Sequence, residues 1–157
     1  GMRSGTLDVP GIVGMAEAAR LAVESLSEEM PRMRRLRDRL WADLEAAVRG
    51  VTLNGPPLAL DSAGAPARLV NNLNVRIPGV DGQSLLAIVS AEGLALSSGS
   101  ACSSEQPRPS HVLAALGLDE DQARSSLRFG LSRFTTAAEV TAAAAMIAAA
   151  AERLRSA

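Results

Sequence analysis

Apolar residues recur at three- and four-residue steps from Ile12 through Met15, Ala19, Val23, Leu26, Met30, Met33, Leu36, Leu40, Leu44 and Val48. That is the period of a long helix with one apolar stripe, beginning near Pro10 and stopped by Gly50. Pro31 lies inside the pattern, where it removes one backbone hydrogen bond and is expected to kink or divide the helix. Arg32, Arg34, Arg35, Arg37 and Arg39 are spread around its second half and read as a solvated surface.

Val51 to Asn54 predicts a short strand broken by Gly55-Pro56-Pro57, and residues 58–69 read as an irregular loop. From Val70 strict alternation sets Leu73, Val75 and Ile77 on one face and Asn72, Asn74 and Arg76 on the other. Asp81 is placed to cap a helix through Leu85, Leu86 and Val89, closed by Gly93, and Leu94 to Leu96 predicts a further strand. The small and polar run from Ser97 to Pro109 predicts an exposed loop. Ser110 then heads a short helix whose Val112 and Leu113 face the core, ending at Gly117. Ser126 to Leu131 alternates again, with Leu127, Phe129 and Leu131 inward and Arg128 on the opposite face. Thr136-Ala137-Ala138-Glu139 fits a capping box and opens the last helix, whose end carries Arg153 and Arg155 at the negative pole of the dipole. Strands and helices mixed without regular βαβ alternation, after one long helix, predict an α+β fold with a sheet on one side and helices on the other.

Composition narrows the function. The 157 residues suit a single domain, and 47% hydrophobic against 21% charged residues exclude a chain disordered throughout. A net charge of -1 with 2% aromatics offers neither a field nor stacking rings for nucleic acid. No stretch reaches membrane-spanning length, and the beginning of the sequence does not read as a secretion signal, so a cytoplasmic setting is expected. Gly1 before Met2 reads either as a tag remnant or as natural sequence. One cysteine excludes an intramolecular disulfide framework, and no clustered metal ligands appear. All 16 Lys+Arg positions are Arg, so this chain has no lysine amine with which to bind a carbonyl cofactor.

Four residues carry candidate chemistry. Cys102 sits in the Gly/Ser loop, where a thiol can serve as a mobile nucleophile or stand as an inert small hydrophobe. Arg128 can clasp a carboxylate with its planar fork or form a surface ion pair. Thr6, before the first helix, can offer a hydroxyl to a phosphate or simply belong to an ordinary helix entry. His111, the lone histidine, reads as solvent-exposed, with no partner evident to make it a base.

The run Leu96-Ser97-Ser98-Gly99-Ser100-Ala101-Cys102-Ser103-Ser104 resembles the active-site loop of the cysteine desulfurases. The resemblance continues through Pro109 to Leu118 and through Ser125-Ser126-Leu127-Arg128-Phe129-Gly130-Leu131-Ser132-Arg133-Phe134-Thr135-Thr136, and takes in Gly1 to Thr6 and Arg37 to Trp41. It implies the C-terminal small domain of a fold-type I, pyridoxal-phosphate-dependent enzyme of the class V aminotransferase superfamily. Residues 1–11 would lead from a large domain, 12–49 form the long helix, and 50–157 the small domain with its Cys loop at 97–109. By the same resemblance Cys102 matches the nucleophile that takes sulfur from L-cysteine as a persulfide, leaving alanine. Arg128 matches the arginine that binds the substrate carboxylate, and Thr6 a threonine contacting the cofactor phosphate across a homodimer interface.

The family's partners would be a sulfur-acceptor protein and the iron–sulfur cluster assembly it feeds. The family's cofactor lysine and ring-stacking histidine have no counterpart here, so the chain alone is expected to hold no cofactor and to be catalytically silent. Two alternatives stand beside this expectation: a stand-alone persulfide-relay or dimer-partner module, and the small domain of a selenocysteine lyase.

Overall fold

The computed structural model describes residues 4–60, 62–98 and 110–156. Helix α1 runs from Val9 to Ala47, with Asp8 at its N-cap accepting a hydrogen bond from the Gly11 amide. It is unbroken at Pro31, contrary to division at that residue; the ring costs the helix one hydrogen bond, and those on either side maintain it. The sheet comprises β1 (Thr52–Leu53), β2 (Asn72–Arg76), β3 (Ser97–Ser98) and β4 (Ser126–Gly130), in the order β1-β2-β4-β3 with every neighbouring pair antiparallel. Helices α2 (Gly82–Ala91), α3 (His111–Ala115), α4 (Glu120–Arg124) and α5 (Ala137–Arg155) complete the fold. The expected α+β class, with its long first helix and small antiparallel sheet, is therefore the architecture observed.

Alternation on β2 and β4 drives Leu73, Val75, Leu127 and Phe129 into one core with Leu40, Leu44 and Val48 of α1. Leu85 and Val89 of α2 and Val140, Ala144, Ile147, Ala150 and Ala151 of α5 close it from the helical side. Helix α5 packs against α1, and its buried alanines suit close helix packing because their side chains are single methyl groups. Each fully buried leucine of this set contributes about 1.5–3 kcal/mol of apolar burial.

Several local expectations change. The third strand is Ser97–Ser98, not Leu94–Leu96; Leu94 and Leu96 serve as half-buried packing against the core instead. Leu113 faces the core as expected, but Val112 is 55% exposed, since α3 has only one inward position in its single turn. Helix α4, with a capping box between Asp119 and Gln122, was not among the expected elements. Along the first half of α1, Val9, Ile12, Val13, Met15 and Val23 are all exposed, so the stripe is buried only from the helix middle onward.

The arginines of α1 depart most from a solvated surface. Arg37 is 1% exposed and donates to Asp38 and to the carbonyls of Leu58 and Leu69. Arg32 donates to the carbonyls of Ser132, Arg133 and Thr135, tying α1 to the turn between β4 and α5. Both cations follow the rule that a guanidinium withdrawn from water must find acceptors, and here most are backbone oxygens of distant segments.

Candidate functional site

The face of the sheet turned away from the apolar core carries Asn72, Asn74 and Arg76 of β2, Arg128 of β4 and Ser97 of β3. Register places Asn74 of β2 opposite Arg128 of β4, and Arg128 opposite Ser97 of β3, in one row across three strands. Arg128 is exposed, as strand alternation between buried Leu127 and Phe129 requires. Its Nη2 donates to the Ser97 hydroxyl at 3.2 Å, and no carboxylate pairs with it among the described residues. A guanidinium has five N–H groups in a rigid fork, so this one retains the donors needed to grip a carboxylate at two points.

The root of the site is anchored from the other face. Ser98 is buried, and its hydroxyl accepts from Gln83 Nε2 of α2 at 2.7 Å. Beside the Arg128 row lies a polar network centred on Asn54, itself buried. Its side-chain amide donates to Asn74 at 2.7 Å and to Ser126 at 2.9 Å, while Arg76 donates to its Oδ1 at 3.0 Å. Arg68 donates to the Asn54 carbonyl, and burial, followed by the nearby charge of Arg37, holds the Arg68 guanidinium below the usual arginine value.

Thr6 is exposed, two residues before the Asp8 N-cap of α1, and Arg128 meets Ser97 rather than Thr6. Cys102 lies outside the described residues; the chain leaves β3 at Ser98, four positions before it, and the description resumes at Ser110. His111 opens α3 and is exposed, in keeping with its reading as a solvated residue. Ser97, Ser98 and Gln83 were not singled out by their sequence. Two serines carry no strand signal, and only the register with β4 reveals them as neighbours of Arg128. Two surface hollows of about 390 and 420 Å³ are lined by neither Arg128 nor Thr6. Among the described residues, no group of three or more His, Cys, Asp or Glu side chains is placed to hold a metal ion, and no helix is long and apolar enough to cross a membrane.

The family model described as aminotransferase class-V matches residues 1–142. A cysteine desulfurase IscS of Edwardsiella ictaluri is 51% identical over 155 residues, covering 99% of this chain and 36% of the relative. The cysteine desulfurase IscS of Histophilus somni is 45% identical with the same coverage. Among solved structures, a NifS-like protein aligns with a TM-score of 0.72 at 33% identity, over 98% of this chain and 36% of its own. A NifS-like protein from Rickettsia africae aligns at 0.73 and 27% identity, over 99% of this chain and 37% of that one. The chain thus spans little more than a third of the length of the relatives it resembles. From the match of the class-V model over most of its length, and from the shared fold, the chain belongs to the class-V aminotransferase family.

Proposed function

We propose that this chain is the C-terminal part of a pyridoxal-phosphate-dependent cysteine desulfurase, comprising the small domain and the long helix that leads into it. The observation that carries the reading is Arg128: an exposed guanidinium, without a carboxylate partner among the described residues, beside the strand that runs on toward Cys102. The exposed apolar first half of α1 supports it as well, because a monomeric surface rarely leaves so long a run of large apolar side chains in water. That half-helix is proposed to meet the large domain that this third of the relatives' length omits.

In the proposed reaction Arg128 holds the carboxylate of L-cysteine and the Cys102 thiolate attacks the substrate's sulfur. A sulfur–sulfur bond forms and the carbon–sulfur bond breaks with its electron pair going to carbon, which takes up a proton. The products are alanine and a persulfide on Cys102, and the balance needs no added oxidant or reductant. An acceptor protein, such as one that assembles iron–sulfur clusters, then takes the outer sulfur.

Pyridoxal phosphate would supply the electron sink that weakens the carbon–sulfur bond. The residues of this chain do not by themselves fit that cofactor, because all 16 of its basic side chains are arginines and none offers an amine. Thr6 would contribute only a contact to the cofactor phosphate, from one subunit of a homodimer to the other. The 157 residues alone are therefore proposed to be silent, in a protein of the cytoplasm.

Reading the DNA upstream of the Met2 codon tests the proposal. A frame that continues into a large domain with a lysine and a ring-stacking histidine is the expected result. A stop codon and start signal immediately before Met2 would overturn it and leave a free persulfide-relay module. Formation of alanine from L-cysteine by the purified chain with added pyridoxal phosphate would overturn the silence of the chain alone.

A further inference from the structure

Arginine is a long side chain, and holding it still costs rotamer freedom. A carboxylate clasp that must be ordered afresh at each binding event loses affinity by that route. Arg128 is exposed, and the hydrogen bond that restrains its guanidinium among the described residues is the one to Ser97 Oγ at 3.2 Å. Ser97 is in turn well placed to restrain it, since the register fixes its Cα opposite that of Arg128.

Strand β3 is only two residues long, and at the edge of the sheet it pairs on one side alone. Successive strand side chains point to opposite faces, so Ser97 reaches Arg128 while Ser98 reaches back to α2. There the buried Ser98 hydroxyl accepts from Gln83 at 2.7 Å, locking the short strand to the first turn of the helix. The Asp81 cap, which accepts from both the Ser84 amide and hydroxyl at 2.8 Å, holds that first turn in place.

We infer that Ser97 is a positioning residue, whose hydroxyl holds the Arg128 guanidinium so that its remaining N–H groups meet a substrate carboxylate. Gln83 and Ser98 fix the backbone on which that hydroxyl stands. The inference rests on the reading of Arg128 as the carboxylate-binding residue of a desulfurase.

The test is steady-state kinetics with L-cysteine in the full-length enzyme carrying these residues. Ser97→Ala is expected to raise KM about 3- to 10-fold with kcat within about twofold, the split expected when a contact serves binding alone. Ser97→Thr keeps a hydroxyl on a strand-compatible residue and is expected to restore KM to the parent value. In an Arg128→Ala background, Ser97→Ala is expected to add nothing. If Arg128→Ala raises KM while Ser97→Ala leaves it at the parent value, the positioning role is overturned and the reading of Arg128 stands. If Arg128→Ala itself leaves KM unchanged, the carboxylate reading fails and the positioning role fails with it. A loss with Ser97→Ala that Ser97→Thr does not restore overturns the role of the hydroxyl.

Discussion

Arg37 donates through Nη2 to the carbonyl oxygen of Leu58 at 3.2 Å, from a side chain that is 1% exposed. The same guanidinium reaches the Leu69 carbonyl at 3.5 Å and Asp38 at 2.7 Å. One cation on α1 thereby fastens both ends of an irregular segment whose own backbone forms little regular structure. Replacing Arg37 by Ala would take its donor from the Leu58 carbonyl, leave the Leu69 carbonyl with the Asn72 amide, and open space beside both. Arg37→Ala is expected to cost about 2–4 kcal/mol in urea unfolding, and Arg37→Lys less, because one ammonium cannot span all three acceptors.

Gly82 opens α2 where the helix crosses the end of β4. A Cβ built there would lie 2.7 Å from the Arg124 carbonyl oxygen and 3.2 Å from that of Ser126. Both are backbone atoms and cannot swing aside. Gly82→Ala is therefore expected to destabilise the fold by about 1–3 kcal/mol, outweighing the better helix propensity of alanine. A thermal melt that moves upward would contradict it.

Pro31 is exposed within an unbroken helix, and it gives no N–H to the preceding turn. Pro31→Ala returns that donor without filling any buried space. The expected gain is about 1–3 kcal/mol, read as a higher urea midpoint with an unchanged slope.

The backbone N–H of Thr136 and then its hydroxyl donate to Glu139, at 2.7 and 2.9 Å, and hold the Glu139 carboxyl below its usual value of 4.5. A carboxyl lowered in this way adds stability above its unfolded value and loses it as pH falls through the folded one. Glu139→Gln is expected to lower the melting temperature at pH 7, and the gap from the parent should shrink progressively below pH 4.5. A gap equally wide at pH 3 and pH 7 would show that the charge is not what the cap uses. Thr136→Ala, which removes the reciprocal bond to the Glu139 amide, is expected to cost about 1 kcal/mol at neutral pH.

Much of the architecture was legible in the residues because its signals are local. The alternation of Leu73, Val75, Leu127 and Phe129 assigns their burial within each strand, and the Asp81 cap and the Thr136–Glu139 capping box were readable from residue types at the start of each helix. Arg128 was assigned to the polar face for the same reason. These relationships span two to four residues, so residue type and spacing alone specify them.

Tertiary structure decided everything that depends on segments far apart in the chain. The burial of Arg37 depends on carbonyls 21 and 32 residues away, and backbone carbonyls leave no mark in residue identity. The strand at Ser97–Ser98 exists because β4 offers it an open edge, although neither serine favours a strand. Likewise, the apolar stripe of α1 was visible from end to end, but only contact with the sheet and α5 determined which half is covered. The sequence by itself determined the alternating strands, the helix caps and the polar face that carries Arg128. Only the fold set Ser97 beside Arg128 and Gln83 behind Ser98, because strand register and long-range hydrogen bonds arise from the packing of whole elements.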